Sequence, residues 1–203
     1  SGHQATHAWI TETIAGLTGG RFAVAFVDDN DTDGDGAGIF VRVFEANGVA
    51  VNATQVAVNT TTAGSQYYGS IGALSDGGFV VTWSDPNGID GSDWGVLAQR
   101  FDAGGGKVGA EFLANTYTYS TQLYSKVEQL SDGGFVIVWQ TYGHNNSGQY
   151  DIAGQRYAAD GTKINGEFIV NSANGWSEEL PSVALRDDGA ILIVWRGQNG
   201  QSI

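Results

Sequence analysis

Five carboxylates fall within eight residues in the stretch Asp28-Asp29-Asn30-Asp31-Thr32-Asp33-Gly34-Asp35. Like charges this close repel unless a cation or raised pKa values relieve them. Oxygen ligands at alternate positions followed by a glycine are how a loop wraps calcium. Asp29, Asp31, Asp33 and Gly34 match that spacing, with Asp35 just beyond. Phe40 stands where an EF-hand places its bidentate glutamate, so a helix-loop-helix EF-hand is excluded. A second stretch offers Asp85, Asn87, Asp90 and Asp93, and Asp90-Gly91 lies at the same offset from Trp83 as Asp33-Gly34 from Phe26. In a third the acids thin to Asn145, Asn146 and a more distant Asp151. Calcium is therefore the expected cofactor, foremost in the first loop. Asp, Asn and Gly are also ordinary turn residues, and a plain solvated turn is the competing reading of the second and third loops.

Trp94, Tyr117, Tyr119, Tyr142 and Trp176 lie among polar residues, where flat rings beside Asp and Asn can stack on sugar faces while the polar groups take hydroxyls. The competing role for them is to cover the ends of a core. Catalytic signatures are absent. Gly104 to Gly109 spells G-x-G-x-x-G, but no helix follows to hold a phosphate. Neither H-E-x-x-H nor G-x-S-x-G occurs, and His3, His7 and His144 are scattered. Glu178 and Glu179 are adjacent and point to opposite faces of a strand, so a paired-carboxylate site needs a further acid from elsewhere in the fold. The expectation is a binding module rather than an enzyme, with a carbohydrate-active hydrolase or lyase as the alternative.

These loops recur because the elements between them recur. "LSDGGFVVTW" at Leu74 to Trp83 returns as "LSDGGFVIVW" at Leu130 to Trp139, 56 residues on. "LTGGRFAVAF" precedes it by 57 residues, and "LRDDGAILIVW" follows at 55 with one residue inserted. "VRVF", "AQRF" and "GQRY" keep the beat, as do "TQVAVN", "EFLAN" and "EFIVN" ending at Asn59, Asn115 and Asn171. A fixed period of this length is the mark of a repeat architecture. Phe135, Ile137 and Trp139 share one face of a strand and Val136 and Val138 the other, so that strand is covered on both sides. The small residues Ser70, Gly72, Ser125, Ser182 and Ala184 mark the strand before it as a place where neighbours crowd. "SDGG" and the pairs Asn47-Gly48 and Asp160-Gly161 supply hairpin turns. No apolar stripe of helical period is found.

Four antiparallel strands per repeat predict an all-β β-propeller, with repeats near 3–59, 60–115, 116–171 and an incomplete 172–203. A β-solenoid or sheet stack is the alternative. The predicted order runs from the small-residue strand at the axis, through the Trp strand and the "AQRF" strand, to the "EF" strand outermost. The "SDGG" and "NG" turns then share one end of the blades, and the long acidic and aromatic loops share the other. Trp83, Trp139 and Trp195, with Phe26 in their place in the first repeat, read as core packing.

A net charge of −13 and a pI near 4.3 repel nucleic acid and anionic lipid. No apolar run approaches the roughly 20 residues of a membrane helix, and no signal segment opens the chain. Cysteine is absent, which removes disulfides and thiol chemistry. Methionine is absent too, so Ser1 is not expected to be a natural start; the chain reads as a processed product or fragment that stops inside a blade.

The phrases "LSDGGFVVTW", "DGSD", "AQRFDAGG", "VGAEFLANT" and "GQRYAADGTKINGEFIVNS" resemble a tandem repeat of large exported, RTX-type calcium-associated bacterial surface proteins. A more distant likeness is to the calcium-bearing FG-GAP propeller repeats of integrin α chains and to certain fungal lectins. The resemblance implies export to the medium or cell surface, calcium, and adhesion or surface assembly. The expected partners are a glycan or protein on the long-loop face, and a second chain through the incomplete last blade.

Overall fold

A computed structural model of the chain describes residues 13–30, 32–144, 148–172 and 175–198. Their strands form four antiparallel sheets, each hydrogen-bonded in chain order. The first blade holds β1 (Thr13–Gly16), β2 (Phe22–Asp28), β3 (Gly38–Phe44) and β4 (Val56–Ala57). The second holds β5 (Tyr67–Ala73), β6 (Phe79–Asp85), β7 (Gly95–Phe101) and β8 (Lys107–Leu113). The third holds β9 (Gln122–Gln129), β10 (Phe135–Tyr142), β11 (Tyr150–Tyr157) and β12 (Lys163–Ile169). The fourth shows β13 (Ser177–Leu185) and β14 (Ile191–Gln198). The architecture is an all-β array of the propeller type.

The double-sided apolar pattern of the central strands explains the stacking. Ala23, Ala25 and Val27 of β2 join Phe79, Val81 and Trp83 of β6 in one buried cluster. Val80 of β6 joins Phe135, Ile137 and Trp139 of β10 in a second. Val136 and Val138 meet Val183 and Ile193 in a third. Each central strand thus serves two interfaces, one per face. The innermost strands approach closely, as their small residues require. A Cβ on Gly72 of β5 would stand 2.9 Å from the carbonyl oxygen of Val127 in β9, and Ser125 Oγ donates to Thr82 Oγ1 at 2.9 Å.

The turns correct the register read from sequence. Leu130 N donates to Gly134 O and Arg186 N to Ala190 O, both at 2.8 Å, so Arg186 takes the place of Leu130 and no residue is inserted in the fourth repeat. The extra residue lies in the first. Leu17 N to Arg21 O matches Leu74 N to Gly78 O, while β4 is reduced to two residues after an isolated bridge between Phe44 and Ala50. Two details of the repeat phrases find structural roles. Asp76 and Asp132 in the turns accept from the amides of Gly78 and Gly134 and pair with Arg100 and Arg156 of the third strands. The buried Gln99 and Gln155 amides bridge bulges in β8 and β12, where Gly109 and Asn165 adopt left-handed φ angles.

Candidate functional site at the long-loop end

The acids of the first two loops are arranged alike, but toward neutral donors. Asp28 accepts from the amide and side chain of Asn30, and Asp85 does the same with Asn87. Burial pushes Asp28 upward, yet its bonds from Asn30, Thr32 and Gln55 outweigh that and hold it below the usual carboxylate range. Asp85, completely buried at the end of β6 rather than in the open loop, is pushed above that range by burial despite bonds from Asn87 and Gln66. Asp33 Oδ2 and Asp90 Oδ2 each take Nδ2 of a buried asparagine, Asn59 and Asn115, at 2.8 Å. Asp35 accepts from Gly64 N, Asp90 Oδ1 from Ser92 N, and Asp93 from Thr121 Oγ1. Asn87 lies against Gly64 of the neighbouring blade's loop. Asp29 also has an interaction partner. Asp31, Asn145 and Asn146 lie outside the described residues. Among the described residues no group of three metal-ligating side chains gathers around one point. One oxygen, Asp33 Oδ1, is buried and makes no hydrogen bond.

The asparagines that close each repeat are the organising residues that sequence reading passed over. Asn59, Asn115 and Asn171 accept through Oδ1 from Ile39, Val96 and Ile152 at the start of the third strand. Their Nδ2 groups donate to Asp33, Asp90 and Asp151. In the first two blades the long loop and the strand end are thereby fixed to each other, and in the third the acid, Asp151, lies in β11 itself. Between blades the lock is a glutamate. Glu111 of β8 accepts from the amides of Thr60 and Thr61 and from Thr61 Oγ1, and Glu167 of β12 from Thr116 N, Thr116 Oγ1 and Tyr117 N. Burial pushes Glu111 up, but these bonds win and keep its pKa low.

Three of the predicted aromatics share one place. Tyr117, Tyr119 and Tyr142, with Gly143 and Gly148, line an open cleft of about 500 Å³. Tyr142 ends β10 instead of lying in a loop. Tyr117 donates to Gly143 O at 3.0 Å, its ring is 4.4 Å from His144, and Tyr119 is 66% exposed. Trp176 is half exposed just before β13.

Trp94 belongs to a second assembly, most of which sequence reading missed. Its ring is 5.9 Å from Tyr67 and 5.8 Å from Tyr68, and Tyr68 is 4.3 Å from Tyr124, with hydroxyls 3.4 Å apart. Tyr68 and Tyr124 sit on bulges at equivalent points of the innermost strands β5 and β9, with φ of 57° and 59°; Leu180 continues the series in β13 at 53°. Left-handed backbone at non-glycine residues costs on the order of 1–3 kcal/mol and clusters at functional sites. The ring of Tyr150 is 5.2 Å from that of Tyr142. Burial raises its hydroxyl pKa first, with Glu179, Tyr124, Tyr142 and Asp93 adding to the rise. Glu179 is held by Arg196 and by Ser177 Oγ at 3.2 Å, while Glu178 is buried. Trp94, Tyr67, Tyr68 and Tyr124 thus cluster where the innermost strands of the second and third blades meet, an aromatic patch we call the axial basin, in which Tyr68 is buried. The signal in the sequence was "YY" at Tyr67-Tyr68 and Tyr124 one period later, hidden because strand tyrosines read as core.

No protein-family model matches the chain, and no curated protein matches it. Solved structures do. A Dyadobacter fermentans protein of unknown function superposes with a TM-score of 0.66 at 11% identity, covering 95% of this chain and 63% of its own. An endo-arabinase from Bacteroides thetaiotaomicron gives 0.56 at 17% identity, covering 95% and 70%. A sialidase from Streptococcus pneumoniae gives 0.57 at 9%, covering 89% and 26%. The chain therefore spans less than two thirds of the first of these. The expectation that this is no enzyme is corrected by that set: structures sharing the fold include glycoside hydrolases, whose chemistry sequence motifs alone had left without support. At these identities the likeness shows the fold, a propeller type also used by carbohydrate-active enzymes.

Proposed function

We propose that this chain is a carbohydrate-active module that holds a glycan over the axial basin, with hydrolysis of a glycosidic bond as its reaction class. The carrying observation is the basin. Trp94, Tyr67, Tyr68 and Tyr124 converge where successive innermost strands meet, and rings beside polar groups suit sugar faces. Glycosidic hydrolysis asks for two carboxylates across the scissile bond. Glu179 of β13 and Asp93 of the second blade's long loop are the pair we assign for test. Arg196 and Ser177 fix the orientation of the Glu179 carboxylate, and Thr121 that of Asp93. The endo-arabinase and sialidase neighbours support the substrate class and guide the assay. Arabino-oligosaccharides and sialylated glycans are incubated with the chain and with Glu179→Gln, Asp93→Asn and Trp94→Ala. The carboxylate variants should bind but release no sugar, and Trp94→Ala should lose binding. An extracellular setting belongs to the same proposal, supported by the acidic, cysteine-free composition.

A second reading, calcium in the first loop, is supported by the unbonded buried Asp33 Oδ1 and by the likeness to calcium-associated repeats. Its role would be stability. A ligand bound only by the folded state adds about 2.7 kcal/mol at a hundredfold excess over its dissociation constant. Melting should rise with calcium over chelator, and the rise should vanish in Asp33→Ala. Identical curves with calcium and chelator count against it.

A further inference from the structure

We propose that β14 is an acceptor edge for one kind of partner: a β-hairpin of this chain's own repeat type. Its first strand carries Gln-Arg-aromatic and its second carries a glutamate. The structure specifies this occupant through contacts that the second and third blades make and the fourth does not.

The edge comes first. β6 and β10 are hydrogen-bonded on both sides, whereas β14 pairs with β13 alone among the described residues. Trp195 stands one period after Trp139 and two after Trp83. Both of those are completely buried, but Trp195 is 39% exposed. The packing role expected for Trp195 is therefore only partly met. An open row of strand amides and carbonyls beside an apolar strand is a template for strand addition.

The charges come next. Asp76 and Asp132 reach Arg100 and Arg156 of the adjoining third strand, at 3.4 Å and 2.5 Å. Asp188, their counterpart, is left with Arg186 of its own turn at 3.0 Å. In the ladders Arg100 lies opposite Val80 and Arg156 opposite Val136, so the incoming arginine falls opposite Leu192. The incoming glutamine falls opposite Ile193, as Gln99 does opposite Val81 and Gln155 opposite Ile137.

The seam supplies the third specification. Glu111 locks the loop after the first blade at Thr60, and Glu167 the loop after the second at Thr116. Ser172 occupies the same place after the third blade, next to Asn171. It is exposed and takes no carboxylate from the described residues. The glutamate of the incoming second strand is the group that fits there. Arginine for Asp188, an extended strand for β14 and a carboxylate for Ser172 together define a hairpin like β11–β12.

The test appends a copy of residues 148–171 after Ile203, which keeps the 56-residue register of the repeats. Hydrogen exchange of the β14 amides is followed in the parent and the extended chain, with acrylamide quenching of Trp195 taken by difference from Trp195→Phe. The extended chain should slow the outward β14 amides about 100-fold and protect Trp195. Changing only the appended copy, by Arg156→Glu with Glu167→Lys, should return most of that protection. If the appended segment stays unprotected while β14 exchanges as in the parent, the proposal is overturned. It is equally overturned if the altered copy protects as well as the faithful one. It also fails if the parent alone already shows concentration-dependent protection, because a second copy is then the occupant.

Discussion

Asn115 accepts from Val96 N and donates to Asp90, so one buried side chain ties a strand start to a long loop. Asn115→Ala leaves a buried amide without its acceptor, which costs about 1–3 kcal/mol. Thermal or urea melting should show that loss, and a substitution at the exposed Thr54, Thr54→Ala, should cost clearly less. Glu111 allows a pH prediction. Its pKa is held below the ordinary glutamate range in the fold, so the unfolded chain binds the extra proton first. The stability it gives is present above the ordinary value and drains away as pH falls through the folded value. Glu111→Gln should lower stability by about 1–2 kcal/mol near neutral pH and flatten the acid limb of the melting curve. An unchanged acid limb would show that the seam between the first two blades is held by packing alone. The same residues show why the acidic loops mislead a reader of sequence. Carboxylate spacing is visible in the chain, whereas the asparagine amides that satisfy Asp33 and Asp90 come from about 25 residues away.

At the level of elements, the period and the two-faced strands were legible in the sequence, because burial on both sides writes an uninterrupted apolar run and turns write glycine. Trp83 and Trp139 show the strength of that signal, and Trp195 its limit: the same residue in the same phrase is buried only when the next strand is paired beside it. Trp139→Ala should cost about 3–5 kcal/mol, and Trp195→Ala well under half as much. The bulges of β5 and β9 were not legible, since a left-handed tyrosine leaves no mark in composition or spacing. Glycine accepts that backbone freely. Tyr124→Gly should therefore melt higher than Tyr124→Ala by about 1 kcal/mol, both lacking the ring. Equal melting points would mean that the bulge carries no strain. Tyr117, Tyr119 and Tyr142 were singled out in the sequence because they stand among polar residues, though not as a cleft of their own. The axial basin was missed because its rings are borne by strands.

Across the whole molecule, the blades stack so that the "SDGG" turns share one end and the acidic and aromatic loops the other, and the aromatic cluster lies at the loop end of the innermost strands. Rigid strands set the positions of Tyr68, Tyr124 and Tyr150, and loops bring Trp94 and Asp93. A repeat without a catalytic motif thus builds a fold that glycoside hydrolases also use. The most direct measurement is a calorimetric titration of the folded chain, and of Trp94→Ala, Tyr124→Ala and Tyr119→Ala, with the oligosaccharide that scores highest on a glycan array. The account predicts that Trp94→Ala and Tyr124→Ala each weaken binding at least ~tenfold, about 1.4 kcal/mol, while Tyr119→Ala changes it little. A folded chain that binds no glycan, or one whose affinity depends on Tyr119 and ignores Trp94 and Tyr124, would contradict it.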